Sequence, residues 1–422
     1  MMHRITLFIL AMTLLSRGLA QQTLTLDECL AAAMKNSPLS AQNDMYKQSG
    51  GLQQQNNSIG KLPQLSINGQ ATYQNDVTAI PIKIPGVSVP TVPKDQYKIS
   101  LDANQLIYAG GAIDIQNKME DLSRQIDQKN NEAELYKIRE RVNQLYFNIL
   151  LTELNAQVIN NTLVDLDSRL GKINNSIRDG VMIASTAEVL QVEILKSKQR
   201  LVETNSQKQA LVNTLNILTG MTASVSTTFK TPEIQVDLTA YSNLRPEFGV
   251  FSLMQQKLDA SKKLSATRDL PKVYGMGTAG YGQPGYNMFK EGTSFFAMIG
   301  AKATWNIWNW HQTSRDKQII ALNSSVIENQ KKAYDLSNQA QVQQYLADVA
   351  KAEELIKSDD EIISLRKSIT RSVYAQLENG TSTATEFVTE QLSEEQALLS
   401  KNLHQMQLLQ AKALYKAATG GL

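Results

Sequence analysis

The chain has 422 residues, with 42 Lys or Arg against 40 Asp or Glu, a formal net charge of +2. So even a balance gives no support to nucleic-acid binding by bulk charge. The single cysteine, Cys29, excludes an internal disulfide framework, and the preceding Asp27 and Glu28 stand where a lipid-attachment site would need small residues.

Residues 1–20 read as an export signal. His3 and Arg4 give the charged start, Ile5 to Leu15 the apolar stretch, and Gly18-Leu19-Ala20 a small-x-small cleavage site before Gln21. The apolar stretch is too short for a membrane span of about 20 residues. Cleavage would remove Arg4 and Arg17 and no acid, taking the net charge from +2 to zero. No later apolar run approaches membrane-helix length. An exported chain can still enter a membrane through strands of about 9–11 residues with alternating faces.

A helix is expected over roughly 25–60, with Cys29 a semi-buried small residue on it. In 64–73, Leu65, Ile67, Ala71 and Tyr73 fall on one strand face, with Gln64, Ser66, Asn68, Gln70 and Thr72 on the other. Segment 76–95, with Pro81, Pro85, Pro90 and Pro93, reads as an outward-facing loop. Residues 97–104 alternate again, Tyr97, Ile99, Leu101 and Ala103 against Lys98, Ser100, Asp102 and Asn104. From Gly111 to Ile177 there is no proline, and Ile115, Met119, Leu122 and Ile126, then Leu163, Leu166, Leu170, Ile173 and Ile177, step by threes and fours. The helix turns at Arg178-Asp179-Gly180, with glycine placed as a C-cap, and returns over 186–219.

The second half repeats the order. A helix is expected at 246–267, a glycine-rich strand at 272–281, and a strand in which Phe295, Ala297, Ile299, Ala301, Ala303 and Trp305 share a face. A long helix follows from about Gln312 to Leu377, with Ile319, Leu322 and Val326 on its seam. It turns at Glu378-Asn379-Gly380 and returns over 384–418. Helices of this length extend roughly 100 Å at 1.5 Å per residue. Leu62-Pro63 and Tyr73 recur as Leu270-Pro271 and Tyr281, and Ile107-Tyr108 and Gly180 as Ile307-Trp308 and Gly380. The expected organisation is therefore the signal at 1–20 and a tandem repeat, 21–221 and 222–422.

Alternation alone also suits a soluble sheet packed on a core. Three features favour a membrane instead: wet Gln, Asn, Ser, Thr and Lys faces, the export signal, and the chain's three tryptophans. Trp305, Trp308 and Trp310 crowd the exit of the last strand, where an aromatic belt would meet lipid headgroups. Four strands cannot close a barrel, since single-chain membrane barrels start at about eight. Several copies would have to share one. Two copies reach eight strands and three reach twelve, so strand arithmetic alone leaves the number open.

The mature chain resembles the outer-membrane efflux proteins of the TolC type. The likeness rests on the tandem halves, the strand exits Leu106-Ile107-Tyr108-Ala109-Gly110-Gly111 and Asn306-Ile307-Trp308-Asn309, and the turn segments Gly180 to Leu190 and Gly380 to Val388. It implies a fold that is mainly α with a small transmembrane β part: a homotrimer whose twelve strands form one outer-membrane barrel, continued by a helical periplasmic barrel. It further implies an inner-membrane transporter and a periplasmic adaptor as partners, outer-membrane lipid around the barrel, and a channel passing drugs, other small molecules or polypeptides. By position after the turn glycine, Glu386 matches an acid ringing the family's constriction, and Glu188 is the nearest match in the first half. Thr389 stands where a second acid often lies. The basic residue that locks the closed state in the best-known members falls on Ser382. Gly180, Val181, Gly380 and Thr381 match adaptor-docking turns. As acids in a first helical turn, Glu188 and Glu386 also suit the helix dipole with no lumen at all.

His311 and His404 have no Cys, Asp or Glu at a recognisable ligand spacing. No phosphate loop, nucleophile elbow or His-Glu-x-x-His is present. Catalysis, cofactors and metals are not expected. The rival reading is an exported coiled-coil scaffold or adhesive rod with a small sheet at one end.

Overall fold

A computed structural model describes residues 23–78, 81, 86, 91–238 and 244–421. The export signal, and Pro85 and Pro90 of the expected loop, lie outside the described residues. The elements in chain order are β1 (Thr23–Leu24), α1 (Leu26–Asn36), α2 (Leu39–Ile59), β2 (Gln64–Tyr73), β3 (Asp95–Tyr108), α3 (Ala112–Arg178) and α4 (Ala184–Thr219). They continue as β4 (Thr228–Phe229), α5 (Pro246–Ala266), β5 (Lys272–Gln283), β6 (Ser294–Thr304), α6 (Gln312–Glu378) and α7 (Ala384–Ala418). Both long helices have 67 residues.

One expected helix is two. The stretch 25–60 breaks at Ser37-Pro38, where Ser37 takes extended angles, φ −66° and ψ 128°. A proline ring crowds the residue before it out of the helical region, and proline has no N–H to continue the ladder. At the other end, Thr25 and Glu28 form a reciprocal capping box that starts α1.

The chain divides into two compact units that cut across its sequence halves. One comprises 1–42, 131–248 and 333–422, the other 43–130 and 249–332. In the first, α1, α3, α4, β4 and α7 enclose a core of Cys29, Val142, Tyr146, Phe147, Ile149, Leu150, Val212 and Leu215. Tyr146 donates its hydroxyl to the carbonyls of Leu24 (2.8 Å) and Lys230 (2.7 Å), tying the parallel β1–β4 pair to α3.

In the second unit the antiparallel sheet runs β2-β3-β5-β6. Its register places Ile67 opposite Leu101, Leu101 opposite Ala279, and Tyr281 opposite Phe295, so the apolar sides of all four strands form one face. That face is bare: Leu65, Ile67, Ile99, Leu101, Tyr281 and Phe295 are exposed, and Ile299 is 92% accessible. On the opposite face Asp102 accepts hydrogen bonds from Asn68 (2.5 Å), Ser100 (3.0 Å) and Thr278 (2.6 Å), linking three strands by polar contacts. A bulge between Leu106 and Tyr108 shifts the β3–β5 register, which resumes with Tyr108 opposite Val273. Beside the sheet, α2 buries no residue and meets α3 through polar contacts such as Asn117 Nδ2 to Ser58 Oγ, 3.1 Å. No described helix is long and apolar enough to cross a membrane.

Candidate functional site

Both hairpin turns are built the same way. Gly180 has φ +77° and Gly380 φ +73°, the left-handed region open to glycine at little cost. The N–H of Gly180 donates to Ile177 and that of Val181 to Ser176, at 3.0 and 2.8 Å. Gly380 donates to Leu377 and Thr381 to Gln376, at 3.0 and 2.9 Å. These are paired Schellman closures of the last turns of α3 and α6. A Cβ at either glycine would meet nothing within 4 Å, so backbone conformation and not crowding calls for glycine there. Val181 is exposed, and the Thr381 hydroxyl donates to the Gln376 carbonyl.

The expected constriction residues lie just past these turns. Glu386 is exposed and closes a capping box on α7. Its Oε2 accepts from the Thr383 N–H (2.9 Å) and the Ser382 hydroxyl (2.6 Å), while the Thr383 hydroxyl accepts from the Glu386 N–H. The Ser382 hydrogen bond, followed by that from Thr383, holds the carboxyl below the ordinary 4.5. Glu386 thus has a structural task in starting α7 and performs it as a carboxylate. Glu188, expected in a first helical turn, is instead exposed on the second turn of α4, because that helix starts at Ala184 with Ile183 as an N-cap that makes no side-chain cap bond. Thr389 is exposed and donates back to the Thr385 carbonyl at 2.8 Å.

One core joins the two hairpins behind the turns. Leu166, Ile173, Leu190, Ile194, Tyr374, Leu377, Ala384 and Phe387 pack together. Two arginines set within and beyond it were not singled out from the sequence. The Arg169 guanidinium lies 3.9 Å from the Tyr374 ring centroid and 5.0 Å from that of Phe387, and its Nε donates to Asp165 at 2.7 Å. Arg200 joins two helices. Its Nη1 is 3.1 Å from Glu193 of α4 and its Nη2 is 3.2 Å from Glu395 of α7, both carboxylate side chains being only 4% exposed. Each arginine has a nearby acid in its own helix, Asp165 or Glu193, but the partners that make the site, Tyr374, Phe387 and Glu395, come from distant positions.

The tryptophans belong to the other compact unit. All three are exposed, and Trp305 lies one residue beyond the end of β6. Its indole N–H donates to the Asp269 carbonyl at 3.0 Å, and Trp308 meets Trp310 edge to face with centroids 6.0 Å apart. Trp310 and His311 adopt φ +52° and +60°, entering α6 in the conformation that Gly110 and Gly111 take before α3.

No protein-family model matches the chain, and no curated protein matches it in sequence. Solved structures do match. A membrane protein from Pseudomonas aeruginosa superposes with a TM-score of 0.71 at 13% identity, over 94% of this chain and 90% of that one. The CmeC outer membrane channel of Campylobacter jejuni gives 0.67 at 13%, over 94% and 85%. The outer membrane protein VceC of Vibrio cholerae gives 0.70 at 10%, over 94% and 96%. The chain has the fold of the TolC-type outer-membrane channels.

Proposed function

We propose that this chain is the outer-membrane exit duct of a tripartite efflux or type I secretion assembly. The observation that carries the reading is the sheet: its apolar face lies bare, and the outer edges of β2 and β6 find no partner strand among the described residues. In hydrocarbon each unpaired backbone group costs several kcal/mol, so identical copies must supply the missing edges. A head-to-tail ring of three closes twelve strands under cyclic symmetry; the number three follows from the likeness to channels of this fold, not from the sheet itself.

In this reading the bare face meets outer-membrane lipid and the Asp102 face lines water. Trp305, Trp308 and Trp310 sit in the headgroup layer on the periplasmic side, and the repeats 21–221 and 222–422 alternate around the wall. An export signal at 1–20 delivers the chain. Gly180-Val181 and Gly380-Thr381 dock a periplasmic adaptor, which joins the duct to an inner-membrane transporter supplying the energy. Glu188 and Glu386, each tripled near the narrow end, form a negative focus that favours cations. With Thr389 at the next inward position and Ser382 in place of a basic lock, closure depends on other contacts. The duct is passive, and the pump selects the cargo.

Reconstitution in planar bilayers tests the reading. Discrete, cation-favouring single-channel steps are expected, with altered cation preference in Glu386→Gln. A protein that stays in buffer after membrane washing and conducts nothing would support the rod instead.

A further inference from the structure

The polar face of the sheet carries two aromatic residues, Tyr274 toward the helices and Phe296 toward the β5–β6 loop, and the strand opposite Phe296 is glycine-rich where the ring lies. Phe296 is 5% exposed and shares its face with Ser100, Asp102 and Thr278. It pairs directly with Gly280. A Cβ on Gly280 would come within 2.8 Å of the Phe296 ring, and one on Gly282 within 3.3 Å. The tightest contacts of both would be β3 carbonyls, Ile99 for Gly280 and Tyr97 for Gly282, so the two glycines admit both the close approach of β3 and a ring lying down on the sheet. Lys98 Nζ lies 5.5 Å from the ring centroid, and Tyr286, from the β5–β6 loop, packs against it with centroids 4.8 Å apart and planes tilted by 55°. Gly285 lets that loop fold inward, since a Cβ there would strike Ser294 Oγ. The loop closes the sheet end away from α5 and α6, and Tyr286 remains half exposed above Phe296.

We infer that Phe296, Tyr286 and Lys98 form a second, distal constriction that limits the size of what passes the outer mouth. The inference rests on the channel reading. Twelve strands about 4.8 Å apart and tilted by about 40° enclose a cylinder of roughly 12 Å backbone radius. A ring lying on the sheet occupies about 4 Å of that radius, and Tyr286, with its ring centroid 4.8 Å from that of Phe296, reduces it further. Three copies of Phe296 and Tyr286 narrow the mouth well below the backbone radius, passing small solutes and hindering bulky ones unless the loop lifts. Period-two alternation does not assign Phe296 a role, because its place depends on the glycines that face it across the strand pair.

Cysteine accessibility tests this in cells carrying the full chain. Cys29 is fully buried and its thiol is pushed up to about 11, so background labelling is low. Asn104→Cys places a thiol on the polar face, four residues nearer the helices than Ser100. Glu291→Cys in the exposed loop normalises reagent reactivity, and Ile67→Cys reports the bare face. With reagents added outside, a small charged maleimide should label Asn104→Cys readily and a bulky polymer maleimide at least tenfold more slowly. Tyr286→Ala should raise the bulky rate at least fivefold, and Phe296→Ala should do the same. Equal rates for both reagents, or a bulky rate unchanged by both variants, would overturn the constriction alone. Ready labelling of Ile67→Cys by the charged reagent would overturn the channel reading and the constriction with it.

Discussion

Replacing Arg200 by methionine should destabilise the hairpin unit strongly, because it strands two buried acids. Glu193 and Glu395 are each 4% exposed and share this one guanidinium, whose Nη2 also donates to Ser197 at 2.7 Å. Removing one member of a buried ionic group costs about 3–5 kcal/mol, because the remaining charge is neither hydrated nor paired. Methionine keeps most of the aliphatic stem, so lost packing contributes little. For a unit of this size about 1 kcal/mol moves the melting temperature by about 2–4 °C, giving a drop on the order of 10 °C. The assay is thermal unfolding followed by circular dichroism in detergent. The triple variant Arg200→Met, Glu193→Gln, Glu395→Gln removes the stranded charges and should recover at least half of the loss. A melting temperature within about 2 °C of the parent for Arg200→Met, or no recovery in the triple variant, would refute the reasoning.

Glycine substitutions should separate by backbone angle: Gly171→Ala, inside α3 with open space around it, should stabilise by about 0.5–1 kcal/mol, whereas Gly180→Ala and Gly380→Ala should each cost about 1–2 kcal/mol, as read by melting temperature. The pKa of Glu386 is lowered on folding, so its stabilising contribution is present above 4.5 and fades as the pH falls through the lowered value. Melting temperatures of the parent and Glu386→Gln should accordingly differ at neutral pH and converge in acid, and a difference that grew on acidification would exclude the capping role. All three tryptophans of the chain lie between 305 and 310, so brominated lipid should quench most of the intrinsic fluorescence after reconstitution; emission indifferent to bromination would remove them from the membrane interface.

Much of the fold was legible where local chemistry and tertiary role coincide. The hairpin turns show in Gly180 and Gly380 because a left-handed cap selects glycine directly, and period-two alternation placed all four strands of the sheet. The capping box of α7 could have been read from Thr383 and Glu386 standing three apart, but Glu386 drew attention only as a constriction acid or a first-turn charge on the helix dipole. The break of α2 from α1 could have been read from Pro38, but the surrounding composition suits one continuous helix. What stayed hidden depends on convergence. Arg169 acquires its meaning from Tyr374 and Phe387, more than 200 positions away. Arg200 acquires its meaning from Glu395, and Phe296 from the glycines across the strand pair. A one-dimensional pattern records which face a residue takes, not which distant side chain meets it there.

The central claim, that the open edges of β2 and β6 are closed by identical copies, is tested most directly by the native mass of the detergent-solubilised particle. A mass of three chains, retained on dilution and lost only with the β-structure on heating, is the predicted result. A single chain, monodisperse in buffer without detergent, would contradict it.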